Sequence, residues 1–219
     1  MSGFNQFFFE TGGTRSRSYG VGLDQTFGSR VFGGLSVLKR TLDVPEAGCD
    51  HPTNFSGCAG RVTTHVVIRD SRNTDASAYL DAVIYKRLTF ALEYTFRRRL
   101  FDFTQKDQFG SFEDREVTRR WRPGLRWFLP NGLFAGSTAT YYDQEVDKFG
   151  DLSSPERHVA RANFWVGDLT LGYRLPKRYG SVVLEAHNFS DREFEFLERS
   201  VEDTVIPARS VVLALNFTY

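Results

Sequence analysis

The chain has 219 residues, enough for one domain with a sizeable core, and its 28 Lys and Arg nearly balance its 27 Asp and Glu. That balance gives no electrostatic footprint for a nucleic-acid partner. The mean hydropathy of −0.36 and the absence of any apolar run near the ~18 residues of a spanning helix exclude a helical membrane protein. A transmembrane β-barrel remains compatible, because only alternate residues of its strands face lipid.

The N-terminal region predicts three short strands. Residues 4–9 are rich in Phe, with no basic leader and no apolar stretch of signal-peptide length ahead of them. We therefore expect either a mature protein or a piece of a longer chain, and we favour the piece. Apolar and small or polar residues then alternate over residues 19–27, Gly28-Ser29-Arg30 predicts a tight turn, and a third strand follows over residues 31–42.

Both cysteines lie in a stretch with Gly, Pro and Asn, which predicts a loop over residues 44–64. Cys49 and Cys58 close a short segment, a pattern typical of a disulfide formed in an oxidising compartment. Two unpaired thiols are the alternative. A metal site is less favoured, because His51 could join the cysteines but no fourth ligand is apparent. We expect no metal and no cofactor.

The clearest alternation lies in the middle of the chain. Residues 63–85 predict one long strand, Lys86-Arg87 a two-residue turn, and residues 88–102 the returning strand. Helical spacing would place Glu93 and Arg97 of the returning strand among its aromatic side chains, so a period of two residues is favoured. One face then carries Leu88, Phe90, Leu92, Tyr94 and Phe96.

The second half of the chain repeats this pattern of strands and turns. Pro130-Asn131-Gly132 is a strong hairpin signal, and residues 176–180 predict another turn. The strands between the turns are predicted over residues 115–128, 133–147, 165–175 and 182–187.

The C-terminal residues 208–219 predict a strand with one apolar face that ends in aromatic side chains. That face carries Val211, Leu213, Leu215, Phe217 and Tyr219. It resembles the terminal strand of Gram-negative outer-membrane β-barrels, which alternates in the same way and ends on an aromatic residue. The resemblance implies insertion into the membrane by the barrel-assembly machinery, with the terminal strand as the recognised segment.

Long polar connections alternate with tight turns along the predicted meander. Outer-membrane barrels have short periplasmic turns and longer extracellular loops, whereas a soluble barrel or sandwich has no reason to segregate loop lengths by end. We therefore predict an all-β fold, an antiparallel transmembrane barrel of about ten strands of ~9–11 residues each, with residues 44–64 as an extracellular loop. Aromatic residues near the short turns predict an interfacial belt: Phe27, Tyr85, Trp127, Phe128, Tyr173 and Tyr219.

The last seventy or so residues resemble the C-terminal barrel of TonB-dependent receptors and related outer-membrane transport proteins. The matching segments are residues 171–176, 183–194 and 213–217, and Asn188-Phe189-Ser190-Asp191 is similar to the family's Asn-Leu-Phe-Asp signature with two substitutions. This resemblance implies transport of a polar solute across the outer membrane of a Gram-negative cell, with membrane lipid as the surrounding partner.

Two departures from that family leave the architecture open. The sequence contains no segment for the family's N-terminal plug, which would engage an energy-coupling periplasmic protein, and the family's barrels have about twenty-two strands. Either further strands lie upstream, or ten strands close alone as a small porin or adhesin-like barrel. A third alternative is the barrel of a polysaccharide-export protein that lacks its periplasmic repeat domain.

Strand parity predicts a set of charged side chains on the lumen side. Such a set can guide polar or anionic solutes, or can form cross-strand ion pairs that only keep the lumen polar. The predicted lumen-facing residues are Arg97, Arg99, Arg120, Arg122, Arg126, Arg174, Asp81, Glu93, Asp168 and Glu185.

No catalytic constellation is predicted. A hydrolase needs a His with a carboxylate and a nucleophile in reach. His187 shares a strand face with Glu185, yet no nucleophile spacing accompanies the pair, so we expect no enzyme activity.

Overall fold

The computed structural model describes residues 13–49, 64–104, 111–149, 157–194 and 209–217. These residues form an antiparallel sheet of nine strands. The strands are β1 (Arg15–Phe27), β2 (Val31–Cys49), β3 (Thr64–Tyr85), β4 (Leu88–Thr104), β5 (Ser111–Phe128), β6 (Leu133–Phe149), β7 (Arg157–Arg174), β8 (Gly180–His187) and β9 (Ser210–Phe217). None of the described residues belong to a helix with the length and apolar character needed to cross a bilayer.

The sheet is a simple meander in which each strand pairs with the next along the chain. The sheet is open: within the described residues, β1 pairs only with β2, and β9 only with β8. Since every neighbouring pair is antiparallel, strands two apart run the same way, and β1 and β9 are therefore parallel to each other. The all-β antiparallel meander predicted from the sequence is confirmed.

The predicted tight turns join the strands at one end of the sheet, the short-turn end. Lys86-Arg87 connects β3 to β4 in two residues, and Pro176–Arg178 form a 3-10 turn before β8. In the β5–β6 hairpin, Gly132 has a φ of 90°, which favours glycine, and the amide of Leu133 donates to Oδ1 of Asn131 at 3.2 Å. The longer connections at the opposite end, the long-loop end, lie mostly outside the described residues.

Several strand boundaries differ from the sequence prediction. Strand β2 continues to Cys49, so the first six residues of the predicted 44–64 loop are strand, paired in register with β3 as far as Thr64. Strand β7 begins at Arg157, eight residues before the predicted start, because residues on both sides of the polar Asn163 continue the pairing with β6. The predicted strand over residues 4–9 lies outside the described residues.

The register separates the sheet into an apolar face and a polar face. One cross-strand row crosses all nine strands on the apolar face, because each of its residues is the Cα partner of the next. The row consists of Phe27, Val31, Ala82, Phe90, Leu125, Ser137, Leu169, Ala186 and Val211.

The two faces differ in burial in a way that is opposite to a water-soluble sheet. Large apolar side chains of the apolar face are exposed, including Leu23, Leu171 and Leu213. On the polar face, several side chains toward the long-loop end are buried, including Gln144, which is 1% exposed, and Phe164. Most of the buried side chains of the described residues therefore lie on the polar face.

Candidate functional site

The polar face carries every residue predicted to face the lumen. Cross-strand partners place Asp81 beside Ala91, Glu93 beside Arg122, and Arg126 beside Gly136 on this face. Asp168, Glu185 and Arg174 occupy the same face of β7 and β8, by the same register. Whether these residues line a solute path stays a prediction, but one face of the sheet brings them all together.

Two of the arginines form cross-strand ion pairs. Nε of Arg97 lies 3.0 Å from Oδ1 of Asp75 on β3, and Nη1 of Arg122 lies 3.7 Å from Oε2 of Glu93 on β4. All four side chains are roughly half exposed, and ion pairs with that exposure contribute about 0–1 kcal/mol each. For these two arginines the structural alternative, a ladder that keeps the face polar, describes the contacts well.

Arg120 and Arg126 on β5 differ from those two, because neither forms an ion pair with a carboxylate of the described residues. The cross-strand partners of Arg120 are Thr95 and Tyr142, and those of Arg126 are Thr89 and Gly136. These neighbours supply hydroxyl groups or no side chain at all, and none supplies negative charge. Strand β5 therefore carries positive charge on the polar face that its strand neighbours do not neutralise.

Arg174 lies near the short-turn end of the same face, where its guanidinium stands over two aromatic rings. The guanidinium carbon is 5.1 Å from the ring centroid of Phe128 and 5.8 Å from that of Phe134. Cation–π contacts of this geometry contribute about 0.5–1 kcal/mol when exposed. Phe128 was predicted to belong to the interfacial belt, but it lies on the polar face. It is the cross-strand partner of Phe134, and the preceding residue Trp127 points to the apolar face.

Polar side chains on β1, β2 and β3 form a row of contacts that alternation along single strands does not reveal. The hydroxyl of Tyr79 donates to Oδ1 of Asp24 at 2.8 Å across the intervening strand. Gly34 lies between them, and a Cβ there would overlap both side chains, so glycine makes the contact possible. In the next row, the hydroxyls of Ser36 and Ser77 are 2.7 Å apart. Strand parity could have placed these residues on the polar face, but their partners depend on the register between distant strands.

His187 lies between two of the predicted acidic residues. Its Nδ1 is 3.7 Å from Oδ1 of Asp168, and its Nε2 is 3.4 Å from Oε2 of Glu185. The cross-strand partner of His187 is Ser210, the only hydroxyl residue beside it on β9 within the described part of the chain. A nucleophilic triad needs one imidazole nitrogen to face the hydroxyl. Both nitrogens lie beside carboxylates here. No triad is assigned to this cluster, and the expected absence of enzyme activity stays a prediction.

The apolar face ends in a row of four aromatic residues toward the long-loop end. Tyr94, Trp121, Tyr141 and Trp165 are successive cross-strand partners from β4 to β7. The rings of Tyr94 and Trp121 are 4.3 Å apart, and those of Tyr141 and Trp165 are 5.0 Å apart. The sequence predicts an interfacial aromatic belt only near the short turns. This row, which we call the upper aromatic row, was missed because it becomes visible only in register.

Charged residues follow immediately beyond the upper aromatic row. In the next row on this face, Nη1 of Arg119 and Oδ2 of Asp143 are 2.9 Å apart. One row further, Nη2 of Arg161 lies 3.4 Å from Oε2 of Glu145. Between the upper aromatic row and the short turns, by contrast, the apolar face of the described strands carries no charged side chain. The boundary between the apolar and charged zones is therefore a single row of residues wide.

The other predicted belt residues and the terminal strand lie largely as expected on the sheet. Tyr85, Trp127 and Tyr173 are exposed near the short-turn end of the apolar face. The terminal strand β9 places Val211, Leu213, Leu215 and Phe217 on that face, each of them exposed, whereas Tyr219 lies outside the described residues. Its recognition by an assembly machinery stays a prediction.

The predicted disulfide and the expected absence of a metal involve residues that are only partly described. Cys49 ends β2, and Cys58 lies outside the described residues, so the disulfide stays a prediction. Within the described ranges, no group of three or more His, Cys, Asp or Glu side chains is arranged to hold a metal ion.

Comparison with known proteins gives no assignment. No protein-family model matches the chain, and no curated protein matches it significantly.

Proposed function

We propose that this sheet is part of the wall of an outer-membrane β-barrel, with its apolar face in hydrocarbon and its polar face toward a lumen used by a polar solute. One observation carries the proposal: across nine strands, the apolar face has no charged residue between the upper aromatic row and the short turns. The charged residues of the same strand segments lie on the opposite face.

This segregation is what a bilayer requires and what water does not. An Arg or Lys on the lipid face of a barrel costs about 2–4 kcal/mol at the midplane, so such a face excludes charge. In water, an exposed apolar surface larger than a few hundred Å² favours association. Nearly every strand here exposes large apolar side chains, for example Leu35 in β2, Leu125 in β5 and Leu215 in β9. Hydrocarbon is the surrounding that accommodates this surface most simply.

The height of the uncharged zone also fits a bilayer. On β4 alone, the uncharged stretch of this face runs from Leu88 to Phe96, one position beyond Tyr94 of the upper aromatic row. This is about 26 Å along the strand at a rise of roughly 3.3 Å per residue. With the usual strand tilt of about 40°, this length spans about 20 Å along the membrane normal, close to the ~25 Å apolar band of outer-membrane barrels. The upper aromatic row and Trp127 with Tyr173 then mark the two interfaces, where aromatic side chains are favoured.

Closure of this sheet into a barrel requires an odd number of additional strands. Its edge strands β1 and β9 are parallel, whereas bacterial outer-membrane barrels are antiparallel throughout and have even strand numbers. The strand predicted over residues 4–9 would supply one strand and give a barrel of about ten, close to the size whose interior side chains fill. A larger odd number would give a wider lumen, as the resemblance to TonB-dependent receptors implies.

Transport of a polar solute is the function that this arrangement supports best. The uncompensated arginines on β5 would favour anionic or hydroxyl-rich solutes along the lumen wall. In the receptor interpretation, uptake also needs a plug and an energy-coupling periplasmic protein. A self-contained small porin or adhesin-like barrel is the second candidate. It is favoured because one additional strand is enough to close the sheet as an antiparallel barrel. The export-barrel alternative keeps the same wall but has no specific observation in its favour.

Quenching of tryptophan fluorescence tests the proposal directly. Trp121 and Trp127 lie on the apolar face at its two ends. After refolding into phosphatidylcholine vesicles, lipids brominated along the acyl chain are expected to quench both residues, and aqueous iodide is expected to have little effect. Efficient quenching by iodide without quenching by brominated lipid, in a folded and monodisperse protein, would contradict the proposal.

A further inference from the structure

The apolar face contains a groove of about 790 Å³ near the end of β8. Small residues of β6 and β7 form its floor, namely Ser137, Ala139 and Gly167, while Leu125 and Leu169 contribute to its sides. Ala139 and Gly167 are cross-strand partners, so two small residues lie side by side here and leave a local depression in the apolar surface.

A compact turn after β8 forms the upper wall of the groove. The backbone amide of Phe189 donates to the carbonyl of Gly167 at 3.0 Å, and the Phe189 ring lies where a side chain on Gly167 would be. Asn188, 1% exposed, fixes this turn: its Nδ2 donates to the carbonyl of Arg192 at 2.9 Å, and its Oδ1 accepts from the Arg192 amide at 3.2 Å. A buried asparagine thus holds both Phe189 and Arg192 at the groove.

The groove has an apolar end and a positively charged end. Ser190 and Arg192 line it together with Trp165, which belongs to the upper aromatic row. The Arg192 side chain is exposed and forms no ion pair with the described residues, whereas the neighbouring Asp191 lies 3.6 Å from Arg209. The positive charge of Arg192 therefore lies at the level of the membrane interface, whereas Leu169 and Leu125 lie deeper in the uncharged zone.

We propose that this groove binds one acyl chain of a membrane lipid with an anionic, phosphate-bearing headgroup, and that Arg192 pairs with the phosphate. The inference rests on the proposed membrane setting of the apolar face. A lipid is the occupant that matches both ends, because an acyl chain fills a narrow apolar depression while a phosphate at the interface meets the guanidinium. An uncharged detergent would leave the arginine without a partner.

The location of Trp165 makes the site measurable. The chain has three tryptophans, so in a variant with Trp121→Phe and Trp127→Phe only Trp165 remains. The variant is refolded into vesicles that mix phosphatidylcholine and phosphatidylglycerol, with bromine on the acyl chains of one lipid at a time. We expect brominated phosphatidylglycerol to quench Trp165 as strongly as if its local concentration at the groove were about fivefold above its mole fraction in the vesicle. This enrichment corresponds to the attraction between one arginine and an anionic headgroup. The Trp165→Phe variant, which keeps the other two tryptophans, should show no such enrichment.

Two substitutions separate the parts of the site. Ala139→Leu fills the floor of the groove and should abolish the enrichment, while Ala135→Leu, on the same face of β6 but outside the groove, should keep it. Arg192→Gln should remove the preference for phosphatidylglycerol and leave quenching by brominated phosphatidylcholine intact.

The outcomes also separate this inference from the proposed membrane setting. If Trp165 is quenched equally by the two brominated lipids, or if Arg192→Gln keeps the preference, the lipid site is wrong and the membrane setting stands. If no brominated lipid quenches any of the three tryptophans, both proposals fail.

Discussion

The two faces of this sheet are made by the same strands, yet they follow opposite rules. On β4, Phe90 and Leu92 point to the apolar face, while the alternating residues Ala91 and Glu93 point to the polar face. The apolar face has no protein layer over its exposed side chains within the described residues, whereas much of the polar face is packed against other protein atoms. Contacts with other protein atoms therefore stabilise the polar face, whereas the apolar face must be stabilised by its surrounding solvent.

Packing on the polar face has identifiable partners. The ring of Phe164 stacks between Tyr142, at a centroid distance of 5.0 Å, and Phe194, at 4.7 Å. Phe194 follows the turn after β8, so this stack also fixes the segment that forms the lipid groove. Within the uncharged zone of the opposite face, no described apolar side chain is enclosed to this degree, and Leu171 illustrates this by its exposure.

Truncation of one side chain on each face should give the largest contrast. Phe164→Ala removes a buried ring and leaves a cavity, so we expect a loss of about 3–5 kcal/mol in the free energy of unfolding. Leu171→Ala removes apolar surface where lipid can fill the space, so we expect a loss of only about 1–2 kcal/mol. Urea unfolding in phospholipid vesicles, followed by tryptophan fluorescence, measures both. Equal losses would mean that the two faces are packed alike.

Placement of a charge should sharpen the same comparison with a slightly smaller effect. Leu92→Arg puts a guanidinium in the middle of the uncharged zone and should cost about 2–4 kcal/mol of stability in a bilayer. Its control, Ala91→Arg, puts the same group one residue away on the polar face, where Asp81 is the cross-strand partner. We expect the control to change stability by less than about 1 kcal/mol. The measurement is the same vesicle titration, and a penalty in the control as large as in Leu92→Arg would argue against a membrane setting.

Much of this comparison could be predicted from the sequence, because it depends on local parity. Alternation in β4 and β9 fixed the two faces, and the signals Lys86-Arg87 and Pro130-Asn131-Gly132 fixed the hairpins between strands. Neighbouring strands joined by such short turns have little freedom in register. The assignment of β6, which rested on weak alternation among small residues, was confirmed for the same reason.

What the sequence did not predict depends on register across long connections. The Tyr79–Asp24 contact joins residues on β3 and β1 and needs the pairing of both strands with β2. The sequence between β2 and β3 contains no tight-turn signal that would fix the register of that pair. The upper aromatic row has the same origin, since single aromatic residues on four strands form a row only after alignment. Strand ends at the long-loop side were also missed, because polar residues there continue the pairing without an apolar pattern.

The smallest expected effect concerns charge on the lumen side rather than stability. Arg119 and Arg120 are adjacent on β5 and point to opposite faces; Arg119 pairs with Asp143 outside the uncharged zone, and Arg120 has no acidic partner among the described residues. In a conducting barrel, Arg120→Glu should shift the reversal potential in a salt gradient toward cation preference, because it inverts a charge on the lumen wall. Arg119→Glu makes the same change in net charge on the outer surface and should leave the reversal potential unchanged. An equal shift in both variants would show that the reversal potential responds to the overall charge of the protein. An absence of conductance in the unmodified chain would contradict the self-contained porin alternative.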